Sequence, residues 1–217
     1  MGCGGDMTKK KPSKIKAKSL DEEAIMNWYY RNIDINNRVI YFGAWQPSEE
    51  LIDEDRSYEV NDWSAQNIIK GLHVLESVSN DPVKIIWFSY GGDRDAGMAI
   101  FDKLIGSNCD VTMECYGRVR SMGTVILQAA KRRRISKNCS FMIHYGTLGM
   151  EPMHAKDAYY TVVEAERDND IMEDIYLGKI REKHPEYLRE TLQELMKHDK
   201  WMTPHEAVEI GLADEVI

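Results

Sequence analysis

Two side chains in this sequence invite a question about acyl-transfer chemistry. "GRVRSMGTVILQAA" (117–130) places Ser121 where a strand-like run gives way to an apolar, helix-favouring one, and "FMIH" (141–144) ends a second strand-like run on a histidine. A serine at a helix start serves either as an N-cap or as a nucleophile. The nucleophile needs a histidine to accept its proton, a carboxylate to hold that histidine in one tautomer, and backbone N–H groups aimed at the oxyanion. The start of a helix supplies such amides, because its first N–H groups lack internal partners and its dipole favours negative charge. Gly117 and Gly123 leave room for a tight turn around Ser121, and the Met122 amide is the natural first donor. "SYGGD" (89–93), which follows the apolar strand "VKIIWF", offers glycine amides for a second.

These groups meet only if the chain folds suitably. "NRVIYFG" (37–43), "VKIIWFS" (83–89), "DVTMECYG" (110–117) and "SFMIHYG" (140–146) read as strands, being rich in β-branched and aromatic residues or alternating in polarity. "SAQNIIKGLHVLESV" (64–78), with Ser64 as its cap, "AGMAIFDKLI" (96–105) and "SMGTVILQAAK" (121–131) show helical spacing. Strand–helix alternation indicates an α/β domain with parallel pairing, whose strands deliver their final residues to one sheet edge. Ser121 and His144 both stand at such ends. His73, His154, His184, His198 and His205 lie in helical or polar stretches and fit the base role less well. From about Met153 to Lys197 the pattern is long and helical, with Gly178 and Pro185 its main breakers. "TPHEAVEIGLADEVI" then reads as a short helix opened by Thr203-Pro204, stopped by Gly211 and followed by a last strand.

Composition narrows the field. The chain has 217 residues, enough for one substantial core, and a formal net charge of -8, which disfavours nucleic-acid binding. "KRRR" (131–134) accordingly reads as a basic helix end preceding a strand. No apolar run reaches the ~20 residues a bilayer span needs, and no secretory signal is visible, so a cytoplasmic location is expected. Cys3, Cys109, Cys115 and Cys139 form no C-x-x-C pair and are expected to be reduced thiols; no metal or cofactor is expected. Residues 1–20 carry six lysines and read as a solvated tail, leaving a single domain over 21–217.

Four blocks in order, "SYGGDRDAGMAIFDKL", "GRVRSMGTVILQAAKRRR", "NCSFMIHYG" and "DKWMTPHEAVEIGLADEV", resemble those of the Clp protease proteolytic subunit family, ClpP, over about residues 37–217. The resemblance implies a ClpP/crotonase-like spiral of strand–strand–helix units with a projecting handle helix at about 153–183. It also implies a serine endopeptidase with Ser121 as nucleophile, His144 as general base and Asp199 as orienting carboxylate. Gly92 and Met122 amides would form the oxyanion hole, Asp93 and Arg94 would flank the substrate strand, and Asp214 would be structural. Two stacked heptameric rings, an unfolded polypeptide substrate and an AAA+ unfoldase partner follow from the same likeness. Tyr90 stands where the family has proline, Arg120 where a small residue is usual, and the lysine-rich N-terminus does not resemble the family's gating loop. A catalytically silent ring subunit or scaffold, and a crotonase-like CoA-thioester enzyme, are the alternatives. Reaction with a fluorophosphonate separates the protease from the first, and thioester turnover separates it from the second.

Overall fold

The computed structural model describes residues 31–42, 58–149 and 151–217. The lysine-rich segment 1–20 lies outside the described residues, as does Gly43. The chain builds β1 (Ile33–Asp34), β2 (Val39–Tyr41), β3 (Glu59–Val60), α1 (Asp62–Val78), β4 (Val83–Ser89), β5 (Gly91–Gly92), α2 (Arg94–Ile105), β6 (Val111–Arg120) and α3 (Met122–Leu127). It continues with β7 (Arg132–Ile135), β8 (Ser140–Ile143), α4 (Ala155–Lys183), α5 (Arg189–Met196), β9 (Lys200–Met202), α6 (Pro204–Ile210) and β10 (Glu215–Val216).

The main sheet runs β1-β2-β4-β6-β7-β10, and β2, β4, β6, β7 and β10 pair in parallel along it. Alternation along β4 buries Val83, Ile85 and Trp87 on one face. Trp87 is fully buried, stacked on Phe42 with ring centroids 3.9 Å apart. The other face carries a ladder of charge. Glu114, Arg134 and Glu215 are register partners across β6, β7 and β10. Arg134 pairs with both carboxylates, and Lys84 reaches Glu114 at 3.1 Å. Opposite charges facing one another across strands stabilise the pairing, where like charges would oppose it.

Helix starts follow local capping chemistry. α1 is capped by Asn61 rather than by Ser64; Ser64 sits at N3 and its hydroxyl accepts the Asn61 N–H, closing a capping box. α6 uses Thr203 with Glu206 in the same way, Pro204 fits its first turn, and Gly211 ends it at φ 96°. α4 extends for 29 residues, and a break around Pro185 separates it from α5. Two expectations need correction. The helix after Ser121 ends at Leu127, and "KRRR" enters β7 instead of ending a helix. The cause is tertiary. Arg133 is buried, donating to Gln128 Oε1 at 2.7 Å, to the Gly211 carbonyl at 2.8 Å and to Asp214. Those partners hold the backbone extended beside β10, with Asp214 in the structural role.

Candidate active site

Ser121 joins β6 to α3 with φ 49° and ψ -129°, a conformation that costs a non-glycine residue about 1–3 kcal/mol. Its neighbours hold it there. The Ser121 N–H donates to the Met142 carbonyl on β8 at 2.8 Å, and its own carbonyl accepts from the Thr124 amide at 2.8 Å and the Thr124 hydroxyl at 2.6 Å. With the Thr124 proton spent on that bond, the buried Tyr176 hydroxyl of α4 donates to Thr124 Oγ1 at 2.7 Å. Although Ser121 occupies the N-cap position, its side chain caps nothing. The strained turn carries Oγ away from the helix and toward His144.

His144 follows β8 directly. Its Nε2 lies 2.8 Å from Ser121 Oγ, and its Nδ1 lies 2.9 Å from Asp199 Oδ1. Asp199 precedes β9, which pairs antiparallel with β8 so that Ile143 faces Lys200 and Met142 faces Trp201. This short strand, which the sequence pattern did not disclose, delivers the carboxylate to the histidine. The side chain of His144 is 20% exposed and that of Asp199 55%, so solvent reaches the acid end of the row more freely.

The glycine turn lies against the same serine. Gly91 has φ 105°, Gly92 has φ 146°, and β5 pairs in parallel with β3. A Cβ on Gly92 would fall 2.3 Å from the Val60 carbonyl oxygen, so no larger residue fits. Gly92 and Met122 line one cleft with Ser121 and His144. Asp93 is tied to its own loop and helix: its N–H donates to the Val60 carbonyl at 2.7 Å and its carboxylate caps α2 at the Ala96 amide, 2.8 Å away. Arg94 lines the cleft, and its Nη2 pairs with Asp168 Oδ1 on α4 at 2.7 Å. Arg120 turns toward the sheet, donating to Ser140 Oγ at 3.1 Å and stacking over Trp201 with its guanidinium 4.7 Å from the ring centre.

The cleft has a volume of about 310 Å³. Met98, Met122, Val125, Leu148, Ile171 and Met172 are among its apolar lining, contributed by α2, α3, α4 and the segment after β8. Beside it, the buried Glu173 of α4 accepts from the Tyr145 hydroxyl, from Arg189 Nη1 at 2.6 Å and from Gln193 Nε2 at 3.1 Å. Burial and then the Glu173 carboxylate push the Tyr145 phenol well above its usual range. Neither this network nor the Arg94–Asp168 pair is apparent from the sequence, because each joins residues far apart along the chain. Among the described residues, no group of three or more His, Cys, Asp or Glu side chains is placed to hold a metal ion. No helix among them is long and apolar enough to cross a membrane.

A serine, histidine and aspartate in hydrogen-bonded sequence can raise the nucleophilicity of an alcohol and then return the proton to a leaving amine. The family model for Clp protease matches residues 51–217. The chain belongs to the Clp protease family. The ATP-dependent Clp protease proteolytic subunit of Deinococcus radiodurans is 31% identical over 156 residues, covering 70% of this chain and 74% of that protein. The subunit of the same name from Bdellovibrio bacteriovorus is 31% identical over 161 residues, covering 73% and 74%. Among solved structures, a ClpP1 point mutant from Listeria monocytogenes superposes with a TM-score of 0.69 at 25% identity, covering 84% of this chain and 92% of that one. The α/β architecture is therefore the ClpP fold, with its strand–strand–helix units and long helix.

Proposed function

We propose that this Clp protease family chain is a serine endopeptidase that hydrolyses unfolded polypeptide through an acyl-enzyme. The observation that carries the reading is the unbroken row from Ser121 Oγ through the His144 ring to Asp199 Oδ1, with contacts of 2.8 and 2.9 Å. His144 Nε2 takes the Ser121 proton as Oγ attacks the peptide carbonyl, while Asp199 fixes Nδ1 as the donor and stabilises the imidazolium. The Gly92 and Met122 amides hold the developing oxyanion, and a substrate side chain occupies the apolar cleft beside Ser121. His144 then protonates the leaving amine, and water, deprotonated by the same ring, releases the acyl group.

The chain works as two stacked heptameric rings in the cytoplasm, fed by an AAA+ unfoldase. Tyr159, Tyr160, Val162 and Val163 support assembly, since they leave the N-terminal half of α4 with an exposed apolar face. A fluorophosphonate probe tests the chemistry. The wild type labels and cleaves unfolded casein, whereas Ser121→Ala and His144→Ala do neither. Cleavage surviving in Ser121→Ala overturns the mechanism. Light scattering tests the assembly, the expected mass being fourteen times the 25.1 kDa of one chain.

A further inference from the structure

Arg94 and Met98 stand one turn apart on α2, and Asp168 and Met172 stand one turn apart on α4. All four line the cleft beside Ser121. The methionines pack against the core, while the Arg94 and Asp168 side chains are 38% and 27% exposed, which puts the charges on the solvent side of the apolar wall. Arg94 Nη2 meets Asp168 Oδ1 at 2.7 Å, and its Nη1 meets Asp95 Oδ1 at 3.0 Å. Asp95 is almost fully exposed and does not line the cleft.

We propose that the Arg94–Asp168 pair determines which substrate side chain the cleft accepts, restricting it to uncharged apolar residues such as leucine and methionine. This rests on the reading that the cleft receives the side chain preceding the cleaved bond. Each charge of the pair answers the other. An entering glutamate meets Asp168 and finds the guanidinium occupied; an entering lysine meets Arg94 and finds the carboxylate occupied. Either must be desolvated without a partner, whereas a neutral side chain keeps the pair intact and gains contact with the polarisable methionine wall. Removing one charge while keeping the shape releases the other. Asp168→Asn leaves Arg94 Nη2 free to take an acidic side chain, and Arg94→Gln leaves Asp168 free to take a basic one.

The test measures equilibrium binding in a Ser121→Ala background, where affinity reads the cleft without turnover. The ligands are peptides ending in Leu, Met, Glu or Lys and otherwise identical. Without further change, Leu and Met bind at least tenfold tighter than Glu and Lys. Asp168→Asn moves the Glu-to-Leu affinity ratio by tenfold or more toward Glu. Arg94→Gln moves the Lys-to-Leu ratio by a similar factor. The swapped double variant, Arg94→Asp with Asp168→Arg, re-forms the pair and restores the apolar ranking, so a misfolded single variant does not decide the matter. Ratios unchanged in both single variants, or a swapped variant that binds Glu or Lys best, overturn the proposal. Hydrolysis of a leucine-containing peptide by the wild type is scored separately, so failure of the endopeptidase reading is distinguishable from failure of the selectivity.

Discussion

Gly91 and Ser121 approach so closely that a Cβ on the glycine would fall 2.7 Å from the Cβ of the serine, 2.8 Å from the Arg120 carbonyl oxygen and 3.0 Å from the Met122 nitrogen. Gly91 also has φ 105°, where any L side chain is strained. The glycine turn and the serine turn are thus packed as one piece, and the serine's unusual backbone is braced on one side by a residue that can carry no side chain.

Gly91→Ala must push the serine turn aside. A displacement of about 1 Å at a reacting group typically lowers the rate by about 10²-fold. We expect peptide hydrolysis and fluorophosphonate labelling to fall by at least that factor while far-ultraviolet circular dichroism keeps the wild-type shape. Labelling at the wild-type rate would show that the turn accommodates the methyl group without moving Oγ.

Asp199→Asn preserves the shape next to His144 but favours the wrong tautomer, because the amide can donate to Nδ1. The expected loss is about 10⁴-fold in kcat with little change in KM. Steady-state kinetics on a fluorogenic peptide measure it, and a loss below tenfold would mean that the tautomer is fixed by another group.

Glu76 links α1 to α2 through Lys103 Nζ at 2.6 Å and Ser107 Oγ at 2.7 Å. Partial burial raises its pKa, but the hydrogen bonds from Lys103 and Ser107 outweigh burial and hold it below the usual value. A depressed carboxylate pKa contributes stability that is full above the unfolded-state pKa and is lost as pH falls through the folded one. Glu76→Gln therefore lowers stability near neutrality by about 1 kcal/mol, and the difference shrinks in strong acid. Urea midpoints at the two pH values check it; an unchanged difference would contradict the linkage.

Glu173 is only 3% exposed and its carboxylate accepts from Tyr145, Arg189 and Gln193. Removing Arg189 strands a buried carboxylate, so Arg189→Ala should destabilise by about 3 kcal/mol, whereas Tyr145→Phe removes one neutral donor and about 1 kcal/mol. Chemical denaturation of the two single variants and the double variant should reveal coupling, since all share Glu173. Equal effects, or strict additivity, would mean that Glu173 is satisfied without Arg189.

The parts of this molecule that local sequence expresses were legible, and those that depend on distant partners were not. β4 and β8 follow from β-branched and aromatic runs, and Ser121 and His144 could be placed at strand ends because the polarity pattern changes there. Asp199 was accessible only through a family likeness, since the strand that aims it, β9, spans just Lys200–Met202 and shows no periodicity. "KRRR" misled because its charges suggest a solvated helix end, whereas Arg133 is swallowed by Gln128, Gly211 and Asp214. Ser64 misled for a smaller reason: two capping residues, Asn61 and Ser64, lie within one turn, and the reciprocal box uses both.

β6 serves two neighbours in succession. Thr112–Cys115 run beside β7, and after Gly117, at φ 64°, Arg118–Arg120 run beside β8. Acid and base therefore ride together on the small β8–β9 ribbon, whereas the alcohol belongs to the parent sheet. Were that ribbon to peel away, imidazole and carboxylate would leave as a couple, so the joint that opens first is the one between oxygen and ring nitrogen.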